Sequence, residues 1–362
     1  MIELDGSYGE GGGQMLRTGL ALSMLTGKAF GIHSIRKNRP EPGLKPQHLT
    51  GIRLARDLCD AVVEGDELGS TKITFYPRKM KGRTISVDIG TAGSLTLLLQ
   101  AVMPAVIFGP GKFRFKLTGG TDVNHSPPID YLSNVLIPHL RKFADFEIEV
   151  PQRGFYPKGQ GHLELRVKPK FIRNPDDIFD TFLKNNSFPK FNLTNKGKLL
   201  AIRGISFSSS ELEQADVSER QLKSARHSFS KLEIPPRIDP FYAKTASPGS
   251  IITLWAYFGD NEPDENNPVV LGSSGLGEKG KRAEIVGKEA GDYLAEEIAS
   301  PACVDKFMAD QLLIYLAIAG GKITIPQLTN HCRSGIYVIE KFLGNVLKVE
   351  GNLVSKLESK IV

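Results

Sequence analysis

The sequence predicts an α+β protein of three repeated units, each a small sheet backed by two helices, with a small α/β domain inserted in the third. Three features support this. A glycine–helix–glycine–strand cadence occurs three times; a second helix and paired strands follow each occurrence; and a polar, linker-like interval runs from about 182 to 268. At 362 residues the chain exceeds what one core usually supports, so more than one unit is expected.

The cadence opens with "GGGQMLRTGLALSMLTGKAFGIHSI" (11–35), returns as "GTAGSLTLLLQAVMPAVIFGPGKFRFKL" (90–117) and again as "MADQLLIYLAIAGGKITI" (308–325). In each, leucines and alanines fall at helical spacing, a glycine suits a left-handed C-cap, and β-formers follow. Second helices are predicted in 46–63, 127–144 and 333–346, the first two with proline near the first turn. "TKITFYP" with "TISVDIG", "FEIEV" with "GHLELRVKP", and "VLKVE" with "NLVSKLE" are the expected closing strand pairs. The polar edges "NNSFPKFNLTNKGK" and "GDNEPDENNP" bound the insert, dividing the chain into 1–181, 182–268 and 269–362. A long helix after "GSSGLGEKGKR" (272–282) is assigned to the resumed third unit.

Composition narrows the class. Hydrophobic residues make up 40% and charged residues 24%, as in soluble globular proteins. No apolar run reaches the roughly 18 residues of a membrane span. The start "MIELDGSYGEGGG" lacks the basic and apolar segments of a signal peptide, so a cytoplasmic protein is expected. Three cysteines without a CxxC pair argue against a zinc site or a disulfide framework. The net charge of +6 (46 − 40) is modest for a protein that coats long nucleic acid, yet it permits a local anion site.

Several stretches can carry chemistry. "DGSYGEGGGQMLRTG" places five glycines in eight residues around Glu10, with Gln14 and Arg17 one helical turn apart. Such a loop lets backbone approach a ligand, and the helix start behind it suits an anion. No GK[ST] follows it, nor follows "GSSGLG", so neither is a Walker A loop. "IRKNRPEPGLKPQHLTG" gathers Arg36, Lys37, Arg39 and Lys45 in a proline-stiffened loop able to grip phosphate, although a solvated charged loop reads the same way. "TGGTDVNHSPPID" presents Asp122, Asn124 and His125, mostly explicable as turn chemistry, and "RGFYPKGQGHLEL" reads as a hairpin with Arg153 and Lys158 available. Asp310 and Gln311 stand at the start of an apolar helix, where a helix cap and a purine-edge reader are both open. "TNHCRSGIYVIEKF" sets His331 ahead of another helix; from these residues alone it is either a structural histidine or a nucleophile, and Cys332 reads as a small helix-start residue.

Taken in order, "DGSYGEGGGQMLRT", "RPEPGLKPQH", "GTAGSLTLLLQ", "GGTDVNHSPP", "RGFYPKGQG", "ADQL" and the "H…IEKFL" block resemble the RNA 3′-terminal phosphate cyclase family over residues 5 to 343. The resemblance implies three repeats of a four-stranded sheet with two helices, plus a small inserted α/β domain. It implies an ATP-dependent ligase that turns an RNA 3′-phosphate into a 2′,3′-cyclic phosphate through covalent histidine–AMP and RNA–adenylate intermediates. Counting back from "IEKFL" puts the histidine at His331. Glu10 resembles the ligand of Mg²⁺ or Mn²⁺; Gln100, Pro127 and the run Phe307, Met308, Ala309, Asp310 and Gln311 match the adenosine side. Arg17, Arg36, Arg39 and Gln47 fit the phosphate-holding positions, and the implied partner is an RNA 3′ end. Phe307 stands where relatives often carry tyrosine. Rival readings are a ribosome-assembly relative without the nucleophile, an enolpyruvate transferase of the same repeated fold, and a pure RNA-binding protein, which the lack of an RNP-type aromatic motif disfavours.

Overall fold

The structure is a computed structural model, and it describes residues 1–9 and 12–357. Its first unit runs β1 (Ile2–Asp5), α1 (Gly13–Thr26), β2 (Phe30–His33), α2 (Pro46–Cys59), β3 (Val62–Glu64) and β4 (Ile73–Tyr76). The second runs β5 (Thr84–Asp88), α3 (Leu95–Gln100), α4 (Met103–Ile107), β6 (Phe113–Gly119), a helix in three pieces, β7 (Ala144–Gln152) and β8 (Gly161–Pro169). Those pieces are α5 (Ile129–Tyr131), a π-helical turn over Leu132–Leu136, and α6 (Ile137–Leu140). After α7 (Phe179–Asn185), the third unit begins with β9 (Phe191–Leu193) and is interrupted. The interruption holds β10 (Lys198–Ser209), α8 (Val217–His227), β11 (Arg237–Ala243), β12 (Ser250–Gly259), β13 (Val269–Leu276) and α9 (Ala283–Ala299). The third unit resumes with α10 (Lys306–Ala319), β14 (Gly321–Thr324), α11 (Asn330–Leu343), β15 (Leu347–Glu350) and β16 (Leu353–Lys356).

The three units are one βαβαββ plan. Their sheets have the orders β1-β2-β4-β3, β5-β6-β8-β7 and β9-β14-β16-β15. Each joins its first two strands in parallel and the others antiparallel. The insert has a different order, β11-β10-β12-β13, with its first strand in the middle.

Three boundaries differ from the sequence reading. Unit one closes with the three-residue β3, and Thr84–Asp88 pairs in parallel with β6 as the first strand of unit two. Residues from 269 onward were assigned to the resumed unit, yet β13 hydrogen-bonds to β12 and α9 packs on α8, β12 and β13. A side chain at Gly287 of α9 would collide with the Gln221 carbonyl oxygen, so glycine permits that close helix contact. Conversely β9, within 182–268, pairs with β14 of the third sheet.

Prolines shape the second unit. Pro104 cannot donate to the Gln100 carbonyl, so the predicted single helix splits into α3 and α4, leaving Gln100 at a helix end. Pro138 follows the π turn for the same reason: the missing amide widens the preceding turn.

α1 and α10 are apolar nearly all round and run through the middle of one shared core. Phe30 meets Phe342 at 5.9 Å, joining units one and three. Phe143 meets Phe191 at 5.7 Å, joining units two and three. Asp305 pins α10: its carboxylate accepts from Phe307 N and Met308 N at 2.9 Å, from Tyr131 Oη at 2.7 Å and from Gly272 N at 2.8 Å. Thus the helix cap is Asp305, and Asp310 is released from that role. Thr329 caps α11 by accepting from Cys332 N at 3.1 Å, which sets His331 in the first turn. All three cysteines are free and buried. Among the described residues no helix is long and apolar enough to cross a membrane.

Candidate active site

α1, α10 and α11 converge with α3, α4 and the π turn around a cleft of about 730 Å³, counted to its open mouth. Gln14, Arg17, Gln100, Pro127, Asp310 and Gln311 line it, over an apolar floor that includes Met103 and Ile314.

Side chains from different units are tied together there. Gln14 Nε2 donates to Asp310 Oδ2 at 2.7 Å, and Gln14 Oε1 bonds to Nδ1 of His331. His331 is exposed on the first turn of α11, while Gly335, one turn later, lines the cleft. Gln100 Nε2 donates to Gln311 Oε1 at 2.9 Å, and Gln311 Nε2 donates to the Phe307 carbonyl at 2.8 Å. Pro127 is fixed by Thr96, whose hydroxyl donates to its carbonyl at 2.6 Å. Burial pushes the Asp310 carboxyl up to about 7, against the pull of Arg17.

The predicted adenosine-side run does not act as one surface. Phe307 is 47% exposed and meets Tyr131 edge-on at 6.5 Å, whereas Met308 and Ala309 are fully buried. Helical spacing explains the split: only Asp310 and Gln311 face the cleft.

A second group gathers where α1 begins. The Gly12 cap supplies no side-chain bond, so the first amides of α1 are open to a ligand. A Cβ on Gly13 would lie 2.5 Å from His48 Nε2 and 3.1 Å from Arg17 Nη1; glycine lets both side chains close on the helix start. Arg17 Nε is buried without a hydrogen-bond partner, and burial pushes the guanidinium down to about 10. Arg36, at φ 57°, donates to the carbonyls of Glu41 and Gly43 at 3.0 and 3.3 Å. Arg39 reaches the position a Cβ on Gly12 would approach at 3.5 Å. Gln47 accepts from Ser94 N at 3.3 Å. His48 records the resulting field: burial, then Arg17, Arg36 and Lys45, push its imidazole down to about 4. Cations crowd a neutral ring at a helix start, which is a site shaped for an anion.

The glycine loop before α1 lies against α11. A Cβ on Gly9 would come within 2.6 Å of Ser334 Oγ, and Tyr8 stacks on Tyr337 at 4.4 Å. Glu10 and Gly11 lie outside the described residues.

The sequence profile of the RNA 3′-terminal phosphate cyclase family matches residues 8–349. This chain belongs to that family. The family's cyclase of Pyrococcus abyssi is 42% identical over 363 residues, covering 100% of this chain and 99% of the relative. The cyclase of Pyrococcus furiosus is 44% identical over the same span, and that of Thermococcus onnurineus 44% over 355 residues, 98% of this chain and 96% of the relative. The cyclase family is a family of enzymes.

Against this background two expectations fail and one residue is new. Arg153 is not available to a ligand: it donates to Asp122 at 3.1 Å and to Asp130 at 2.6 Å, deep in unit two. Asp122 is buried with it, so the loop does not present that carboxylate. His48 was not singled out, and Gln14 was noted only for its spacing. The capping-box position of His48, whose Nδ1 accepts from Lys45 N at 3.1 Å, gave the one readable hint.

Proposed function

We propose that this chain converts an RNA 3′-phosphate end to a 2′,3′-cyclic phosphate using ATP, with His331 as the covalent carrier of adenylate. The observation that carries the reading is the His331–Gln14 bond on the rim of the cleft lined by Gln100, Asp310 and Gln311, next to a cation-crowded helix start.

Nδ1 of His331 faces a carboxamide oxygen, so Nδ1 holds the proton and the lone pair lies on Nε2. Nε2 attacks the α-phosphorus of ATP; a P–N bond forms, a P–O bond breaks and diphosphate leaves. Arg17, Arg36 and Arg39, with the open amides of α1, balance the charge of the phosphates. Gln100 and Gln311 present amide groups to the adenosine side. Adenylate then passes to an oxygen of the RNA 3′-phosphate, breaking the P–N bond. The neighbouring 2′-hydroxyl attacks the activated 3′-phosphorus and expels AMP. Held by the sugar, that hydroxyl has an effective molarity on the order of 10⁵ M or more.

A divalent cation, Mg²⁺ or Mn²⁺, would neutralise the triphosphate. The chain flanking Glu10, with Gly9 against Ser334 and Gly12 beside Arg39, borders nucleophile and cations, which suits a hard carboxylate ligand there.

Incubation with α-labelled ATP tests the reading. Acid-labile label should stay on the protein and vanish in His331→Ala. An unlabelled wild type, or label that survives the substitution, would reject it.

A further inference from the structure

We infer that Asp310 is a positioning residue that acts through Gln14 to set the tautomer of His331, forming an acid–amide–imidazole relay across three helices. The inference deepens the proposed function and rests on His331 being its nucleophile.

The argument starts from what each group can do. A carboxylate only accepts hydrogen bonds, and an amide nitrogen only donates. Asp310 Oδ2, 2.7 Å from Gln14, therefore fixes which end of the carboxamide is nitrogen. The oxygen end then faces His331, and an oxygen acceptor requires a proton on Nδ1. Asp310 lies on α10, Gln14 on α1 and His331 on α11, so the three helices must pack in register for the relay to exist.

Were the carboxamide reversed, its nitrogen would donate to Nδ1 and the proton would move to Nε2, the atom that must attack. Histidine has no intrinsic bias strong enough to prevent this, and a lone glutamine can turn over. A carboxylate behind it supplies the bias.

Protonation of Asp310 would weaken that bias, since a carboxyl O–H can donate and admit the reversed amide. The groups facing Asp310 are Arg17 on α1, Tyr131 on α5, Cys332 on α11 and Asp305 at the head of its own helix. Arg17 alone among these favours the charged form at neutral pH. Burial opposes it and brings the midpoint near 7.

The test uses the full chain with Asp310→Leu, Asp310→Asn and Gln14→Met. Long-range ¹H–¹⁵N spectra of ligand-free protein should show the Nδ1–H tautomer of His331 in wild type and lose that bias in Asp310→Asn, whose amide can donate to Gln14 as well as accept. Asp310→Leu should show a mixture or the Nε2–H form. Single-turnover adenylylation should fall roughly 10- to 100-fold in Asp310→Leu, the range for outer partners that orient a histidine, and fall by less in Asp310→Asn, which still pairs with Gln14 but no longer fixes its direction. The double variant Asp310→Leu/Gln14→Met should be no slower than Gln14→Met alone, because one residue works through the other. An unchanged tautomer in Asp310→Leu, a loss confined to KM for ATP, or additive losses would each overturn the relay. If Asp310→Leu fails to fold, Gln14→Met and Asp310→Asn decide the tautomer. Should wild type form no adenylate adduct, the functional reading fails, and the spectra still decide the relay.

Discussion

Two arginine sites in this molecule both stand in glycine-rich stretches and end in opposite chemistry. Arg153 is enclosed with Asp122 and Asp130; burial works against its charge, but the two carboxylates outweigh it and hold the guanidinium above its ordinary range. Arg17 is as deeply set, yet its Nε has no partner and burial prevails, lowering it. Beside Arg17, burial and then the field of Arg17, Arg36 and Lys45 hold His48 neutral. Balanced charge builds a scaffold; a surplus of buried cation suits an anionic ligand. The first cluster locks the hairpin of unit two against the insert, where Arg153 also covers Phe207 at 5.0 Å. The second opens onto the glycine loop and His331.

The comparison breaks most readily by substitution. Arg153→Leu leaves two buried carboxylates unpaired and should cost about 3–5 kcal/mol of stability, read by urea titration. Arg17→Leu should change stability by about 1 kcal/mol or less, since an orphaned donor is lost, while adenylylation falls at least roughly 100-fold. If instead Arg17→Leu unfolds the chain and leaves its activity per folded molecule intact, the distinction between the clusters is wrong.

Ligand and pH effects are smaller and sharper. An anion bound at the helix start should offset the cations and raise the His48 pKa from about 4 toward the ordinary histidine value of about 6.5. An NMR titration of His48 with and without ATP reads this directly; an unmoved pKa would place the triphosphate elsewhere. Because folding depresses this imidazole, its contribution to stability is complete above about 6.5 and is lost as pH falls toward about 4. Arg17→Leu should narrow that window by removing one of the three cations that depress the ring, which a pH series of urea midpoints would show.

The chemistry after adenylylation gives the mildest phenotype. A DNA strand with a 3′-phosphate lacks the 2′-hydroxyl and should accumulate as its adenylate, visible as a gel shift without a cyclic end. A cyclised DNA end would contradict the last step.

Much of the architecture was legible because helices with a 3.6-residue period and glycine stops announce themselves. The errors have physical causes. β3 is only three residues, too short for an alternating pattern, so the next strand was borrowed to replace it. β13 reads "VVLGSSGL", loop-like by composition, because its glycines make room: a Cβ on Gly272 would lie 2.7 Å from the Tyr131 ring. At the site, helix position placed His331 near a helix start, but only the family resemblance separated nucleophile from packing residue. The relay was not readable, since Gln14 and Asp310 are 296 residues apart. Nor was the fate of Arg153, whose partners lie 31 and 23 residues away in a turn rich in other polar side chains.

Intact-protein mass spectrometry after brief exposure to ATP and Mg²⁺, followed by peptide mapping, tests the central claim most directly. The account predicts one added AMP, carried on His331 and absent from His331→Asn. An adduct on any other residue, or an adduct that persists in His331→Asn, would contradict it.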